Sequence, residues 1–551
     1  MPASFHQAYD PVAGSIALSA ATASLPLVVL AAALLALRAA PWKAALAAAG
    51  TAAVLAWLVW RMPVAIVAAA ATQGMAFGLW PISWVVLNAV FFYNLSVASG
   101  DFDVIRRSLG RLTADRRVQA LLVAFGFGAL IEGIAGFGAP VAISASMLAG
   151  LGFEPVTAAV LALVANTAPV AFGSLGIPVV TLGGLLAPIL GRDVYATTRD
   201  LSAMVGRQLP LASLLVPAYL VVLLCGWRRM LEVLPAVLVA GFSFAAVQLA
   251  VSNLIGPELT DILASLASIA ALALLLRRWR PAETWPRDEG LARPAAQRAD
   301  PPRRVARAYF TYVILVAVVL LGQAAASAGL KEARWERALS LVFREPPVVP
   351  ASTPYPLVFR LDALSASGTL VLAAAAVAFL VMTAFGMPRA AFLLTYRATL
   401  RQLRLPVLTI ALILSIASVM NYSGMTSSMA LALAATGVLF PFFSAFIGML
   451  GVFLTGSDTS SNTLFGPLQA TTARVSGLDP VLTAATNSSG GVMGKMISPQ
   501  NLSVGAAGVG AVGREGEIFR RVVVHSLLLT AVVGLVAMLQ SYLLPWMIPG
   551  R

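Results

Sequence analysis

Apolar segments long enough to cross a bilayer recur along the chain, and two of them are interrupted in the same way by short polar clusters. The clusters are Asn166-Thr167-Ala168-Pro169 and Asn487-Ser488-Ser489-Gly490-Gly491, which stand 321 residues apart. Gly173 matches Gly494 and Pro178 matches Pro499 at the same offset. Upstream, Gly-Phe-Glu-Pro-Val from 152 echoes Gly-Leu-Asp-Pro-Val from 477, Glu132 corresponds to Asp458, and Gly138-Ala139-Pro140 to Phe465-Gly466-Pro467. The offsets there drift to 325, 326 and 327, as small changes in hairpin length would give. Landmarks in one order on both sides of each break imply a duplicated membrane fold.

Composition fixes the solvent. Hydrophobic residues make up 59% of the chain and charged residues 11%, too few to cover the surface of a soluble fold, so this is an all-α polytopic membrane protein. The single cysteine, Cys225, excludes an internal disulfide framework and a Cys-rich metal site, and His6 and His525 are isolated. No metal or cofactor is expected. The net charge of +14 does not indicate nucleic acid, because the basic residues cluster in short loops between apolar spans. The first apolar segment, 14–37, has no basic stretch before it and reads as the first span rather than a cleaved signal.

Twelve crossings are expected, near 14–37, 43–60, 81–99, 156–190 (broken), 201–224, 232–255, 260–276, 308–329, 367–385, 405–421, 481–508 (broken) and 522–546. Segment 63–80 reads as a partial or re-entrant element leading into the span at Pro81, and 118–150 and 442–476 read as re-entrant hairpins. With both termini outside, 25 of the 37 Lys and Arg residues fall in cytoplasmic loops. The first hairpin then enters from inside and the second from outside, so the repeats are inverted. Residues 1–276 form the N-terminal half, 277–307 an Arg/Pro-rich cytoplasmic linker near anionic headgroups, and 308–551 the C-terminal half. The outer segment from Lys331 to Asp362, with five prolines, reads as an extended loop.

Inverted repeats with interrupted helices place a binding site near the midplane, where irregular backbone is shielded by protein. The second half of a broken helix presents free amide groups and the positive end of its dipole, which attract an anion. Gly490 and Gly491 let backbone approach a ligand, and Asn166, Thr167, Asn487, Ser488 and Ser489 add short polar groups. Such residues in membrane helices also serve helix packing, and that alternative stands beside the first. Glu132 and Asp458 are ionisable groups inside apolar hairpins. Desolvation favours their neutral form, which makes them candidates for proton coupling, whereas neutralisation by Lys495 or Arg207 is the structural alternative. Lys495 lies about two helical turns after Asn487 and could pair with a substrate carboxylate or with an internal acid. Arg207 reads as a snorkelling residue, and Glu154 and Asp479, each before a proline, as helix caps.

Six stretches resemble the L-lactate permease family: Gln7-Ala8-Tyr9-Asp10-Pro11, the run from Glu132 to Ile143, the run from Asn166 to Gly173, Gly206-Arg207-Gln208-Leu209-Pro210, the run from Gly456 to Asn462, and the run from Gly494 to Gln500. The resemblance extends essentially end to end. It implies a bacterial inner-membrane secondary carrier that takes up L-lactate, in some members D-lactate or glycolate, together with protons. It also implies membership of the ion transporter superfamily, with paired re-entrant hairpins. The resemblance adds Ala168 and Gly173 to the substrate-binding set of Asn166, Thr167, Asn487, Ser488, Ser489, Gly490, Gly491 and Lys495. Where the family has Asn-Thr-Thr-Gly-Gly, this chain has Asn487-Ser488-Ser489-Gly490-Gly491, which keeps the hydroxyls and bears on fine selectivity. The expected partners are a small 2-hydroxy monocarboxylate, protons and the lipid bilayer, with homo-oligomerisation left open. A sodium-coupled carboxylate carrier, a passive anion channel and a membrane enzyme are the rival readings, the last without a nucleophile elbow or phosphate loop to support it.

Overall fold

The computed structural model describes residues 5–37, 39–136, 138–285, 300–327 and 366–550, together with strand segments 335–339, 343–344 and 357–361. Helices make up nearly all of it, because in hydrocarbon each peptide group has to be satisfied within its own segment. Among the described residues, thirteen helices are long and apolar enough to cross a bilayer. That number includes Arg116–Ile134 and Gly437–Thr455, which are arms of the two hairpins. Side chains such as Phe242 and Leu380 remain exposed on the outer faces of their helices, as lipid contact requires.

Each half carries the same succession. In the first, Arg116–Ile134 is followed by Ala139–Gly150, then by a broken helix, Pro155–Ala165 and Gly173–Leu190, and then by Val194–Cys225. In the second, Phe440–Thr455 turns at Gly456 and Ser457 into Asp458–Val475, followed by Pro480–Gly494 and Pro499–Gly508, and then by Glu515–Tyr542. Both broken helices start alike. Glu154 accepts hydrogen bonds from the Val156 and Thr157 amides, Asp479 from those of Val481 and Leu482, and a proline occupies the first helical position of each.

A long helix precedes each hairpin. Val64–Phe77 continues through a wide turn to Trp84–Ala98, interrupted at Trp80 (φ −134°, ψ 124°) before Pro81, and this joins the partial segment to the span that the sequence separated at Pro81. Ala390–Ser423 is its counterpart. The two cross where Gly74 and Gly78 allow backbone contact; a Cβ on Gly74 would sit 2.3 Å from the Leu414 carbonyl oxygen.

Two sequence expectations change. The second helix runs unbroken through Asn487–Gly491, and its break comes later, at Lys495–Ser498. The glycines there serve packing: a Cβ on Gly490 would lie 2.3 Å from the Ala445 carbonyl oxygen, and one on Gly494 2.2 Å from that of Met449, both in the hairpin arm alongside. The break is set by Pro499, whose ring disfavours helical backbone at Ser498, so that Ser498 is extended and caps the next helix by accepting from the Asn501 amide. The second change concerns the outer loop, where Trp335–Leu339 pairs antiparallel with Leu357–Leu361, and Phe343–Arg344 pairs parallel with Phe5–His6. The rest of that loop and linker residues 286–299 lie outside the described residues. The start of the linker is anchored to the foot of the first hairpin. There the fully buried Arg117 bonds Asp115 (2.7 Å) and the Glu283 carbonyl (2.9 Å), and the Trp285 carbonyl accepts from the Arg116 amide.

Candidate functional site

Both hairpin tips and both breaks converge. Glu132 lies on the last turn of its hairpin arm, and Lys495 opens the second break; Lys495 Nζ donates to Glu132 Oε1 at 2.7 Å, with the two side chains only 7% and 4% exposed. Asn166, at the start of the first break, donates to Glu132 Oε2 at 2.8 Å. The carboxylate therefore has a partner on each oxygen, one from each repeat. Gly173 makes the approach possible, since a Cβ there would lie 2.6 Å from Glu132 Oε1. Of the two roles open to Lys495 from sequence, the structure shows the pairing with an internal acid.

Asp458 opens the second arm of the other hairpin and is 3% exposed. Its Oδ2 accepts from Ser488 Oγ at 2.6 Å and from Asn462 Nδ2 at 3.4 Å, and Asn462 also donates to the Pro178 carbonyl at 3.2 Å. The second hairpin is thereby tied to the helix that leaves the first break. Asn487 donates to Asn462 Oδ1 and accepts from Gln469 Nε2, so its amide is used within the second repeat.

A small cavity of about 50 Å³ occupies the junction. Its walls come from Glu132 of the first hairpin; Val170, Gly173 and Ser174 of the first break, with Ile177 and Pro178 just after it; Gly456, Ser457, Asp458 and Thr459 of the second hairpin; and Lys495 of the second break, with Gln500 just after it. That is room for roughly four water-sized groups. Of the substrate-binding residues expected from sequence, Gly173 and Lys495 line it, and the carboxyls Glu132 and Asp458 do too. Asn166 reaches it through Glu132. Thr167, Ala168, Asn487, Ser488, Ser489, Gly490 and Gly491 stand behind the walls: Thr167 Oγ1 bonds the Val164 carbonyl, and the Ala168 carbonyl accepts from Gln248. Gly491 adjoins Asp458 Oδ1, which a Cβ would meet at 2.4 Å. Arg207, read as snorkelling, bonds Asn253 Oδ1 (2.8 Å) and the Met547 carbonyl (2.6 Å).

Sequence reasoning passed over two residues here. Asp261 is fully buried with neither carboxyl oxygen hydrogen-bonded among the described residues, and its Cβ packs on Gly133, next to Glu132. As an acid at the start of an apolar run it reads as a charge at the membrane edge. The second is Ser174, an ordinary small polar residue in sequence that here has φ of 48°.

The family model for L-lactate permease matches residues 19–544. The chain belongs to the L-lactate permease family. It is 44% identical to the L-lactate permease of Escherichia coli strain K12 over 565 aligned positions, covering 99% of this chain and 100% of the relative. It is 43% identical to the glycolate permease GlcA of the same strain, covering 98% and 99%. Among solved structures, the antimetabolite efflux pump MtrF of Neisseria gonorrhoeae aligns over 86% of this chain and 83% of its own, at 14% identity and a TM-score of 0.46. Membership of a permease family makes this protein a multi-pass membrane transporter and not an enzyme.

Proposed function

We propose that this permease imports L-lactate, with D-lactate and glycolate as related substrates, together with a proton, across a bacterial inner membrane. The permeases of lactate and glycolate that cover the whole chain support the substrate class. The observation that carries the coupling is the ion pair of Glu132 with Lys495 in that cavity. A substrate carboxylate needs a cation, and among the described residues Lys495 is the one that lines the space. To bind there, the substrate displaces Glu132, and a displaced carboxylate in a poorly hydrated site takes up a proton. The Glu132–Lys495 pair is neutral when the site is empty, as carboxylate anion with ammonium cation. The sum is neutral again when the site is loaded, as substrate anion with Lys495 and a protonated Glu132. Exposure alternates between the two sides of the membrane in these neutral states, with the inverted halves 1–276 and 308–551 rocking about the junction and both termini outside. Asp458, the other hairpin carboxyl, is held by Ser488 and Asn462 and makes no direct ion pair among the described residues, which favours Glu132 as the proton carrier.

One proton with one monoanion moves no net charge, so uptake should follow a pH gradient rather than voltage. In proteoliposomes, labelled L-lactate should accumulate when the outside is acidified. Accumulation driven by a potential alone, at equal pH and without sodium, would count against this mechanism.

A further inference from the structure

Lys495 has a counterpart. At the repeat offset of 321, its position in the second break corresponds to Ser174 in the first, and both side chains line the cavity. Ser174 is 5% exposed, and its hydroxyl makes no hydrogen bond among the described residues. The Ser174 oxygen borders the cavity, where a ligand or water can supply that partner. Ser174 also begins three consecutive left-handed residues, with φ of 48° at Ser174, 56° at Leu175 and 70° at Gly176. For a side chain other than glycine this conformation is costly, and it persists where the surroundings impose it. Gly176 packs on Pro257, and a Cβ on Gly136 would lie 2.2 Å from Ser174 Oγ. The turn is therefore clamped from two sides and holds the hydroxyl over the cavity. The same point above Gly136 is 3.5 Å from Glu132 Oε1, the oxygen that Lys495 holds.

We propose that Ser174 is a specificity residue that hydrogen-bonds the 2-hydroxyl of the substrate while Lys495 holds its carboxylate. This rests on the lactate-importing reading above and gives that site its second point of contact. In a 2-hydroxy acid the hydroxyl is on the carbon next to the carboxylate, so its partner must stand close to the carboxylate's partner. Ser174 and the Lys495–Glu132 pair have that relation. A serine hydroxyl both donates and accepts, and so suits an alcohol in either direction. An acid without the 2-hydroxyl would leave the serine unpaired, which disfavours propionate relative to lactate by about the worth of that one hydrogen bond.

The test is ligand-induced thermal stabilisation of the purified full-length protein, titrated with L-lactate and with propionate, on wild type, Ser174→Ala and Ser174→Gly. Both variants remove the hydroxyl; the glycine one also relieves the left-handed backbone and so guards against a folding artefact. Wild type should bind L-lactate more tightly than propionate. In the variants, L-lactate affinity should fall about tenfold, the loss of one hydrogen bond at a buried site, and propionate affinity should stay the same. A variant that keeps the wild-type ratio of L-lactate to propionate overturns the role of Ser174 and leaves the transport reading intact. A wild type that L-lactate does not stabilise removes the substrate reading, and the role of Ser174 falls with it.

Discussion

Replacing Glu132 by Gln tests whether one cation is shared by an internal acid and the substrate. In the empty protein, Lys495 Nζ lies 2.7 Å from Glu132 Oε1, with exposures of 7% and 4%. Removing one member of a buried pair costs about 3–5 kcal/mol, because the other charge stays desolvated and uncompensated. Here the pair lines a cavity that admits water, so the lower end, about 3 kcal/mol, is the appropriate figure. Glu132→Gln should therefore lower the thermal stability of the empty protein. L-lactate should restore it, since its carboxylate takes the vacant place at Lys495 without displacing a competitor. If half of that cost returns on binding, lactate should bind roughly tenfold more tightly than to wild type. The double variant Glu132→Gln with Lys495→Met, which removes both charges, should recover to within about 1 kcal/mol of wild type in the empty state and lose the response to lactate. Thermal unfolding in detergent across a lactate titration reads all three proteins. In proteoliposomes, Glu132→Gln should lose accumulation driven by a pH gradient and keep exchange of internal for external lactate. A Glu132→Gln protein with wild-type stability and wild-type lactate affinity would refute the shared cation.

Two further outcomes follow from the packing and from the helix caps. Gly490→Ala should destabilise the protein by about 1–3 kcal/mol, measured as a lower Tm, because its Cβ would meet the Ala445 backbone; Gly150→Ala, with nothing within 4 Å of the new Cβ, should stay close to wild type. At Glu154, burial alone would raise the carboxyl pKa, but hydrogen bonds from the Thr157 hydroxyl and the Thr157 and Val156 amides, with Arg521 nearby, hold it below the ordinary carboxylate value. Its contribution to stability is thus fully present above that ordinary value and is lost as pH falls through the lowered one, so Glu154→Gln should be less stable than wild type near neutrality and converge with it in acid.

The sequence made the architecture legible because the physical demands on it are periodic. Apolar length announces a crossing, and a proline after an acid announces a helix start, as at Pro155 and Pro480. Both hairpin acids were visible for a similar reason: a carboxyl in a glycine-rich apolar stretch has few structural excuses. The second break was misplaced because Gly490 and Gly491 satisfy two demands that look identical in one dimension. Glycine permits an irregular backbone, and it equally permits two regular helices to touch; the contact of Gly490 with Ala445 shows that the second demand prevailed. Pro499, already paired with Pro178 by offset, was the better marker of the break. Asp261 was missed because hydropathy places the turn between two apolar runs at the membrane surface, whereas Pro257 in that turn packs against Gly176 of the first break. Ser174 was missed because the constraint at that position is a dihedral angle, and only glycine advertises such an angle in sequence.

The repeats share a fold and differ where it matters for charge. The first break spans Asn166 to Gly176, with Ser174 in its left-handed turn; the second is confined to Lys495–Ser498. Equivalent positions thus carry a neutral hydroxyl on one side of the cavity and an ammonium on the other. Had both repeats supplied a lysine, a substrate anion could enter without disturbing Glu132, and no proton would be required. Had neither done so, the anion would find no cation at all. With one lysine already committed to Glu132, an entering carboxylate and the internal one exclude each other, and the proton is the cheapest way to settle the surplus negative charge. Coupling on this view follows from a shortage of positive charge, and it can be abolished without touching the substrate's own contacts. The asymmetry of the breaks, more than the symmetry of the repeats, would then separate a proton-coupled carrier from a passive path for anions.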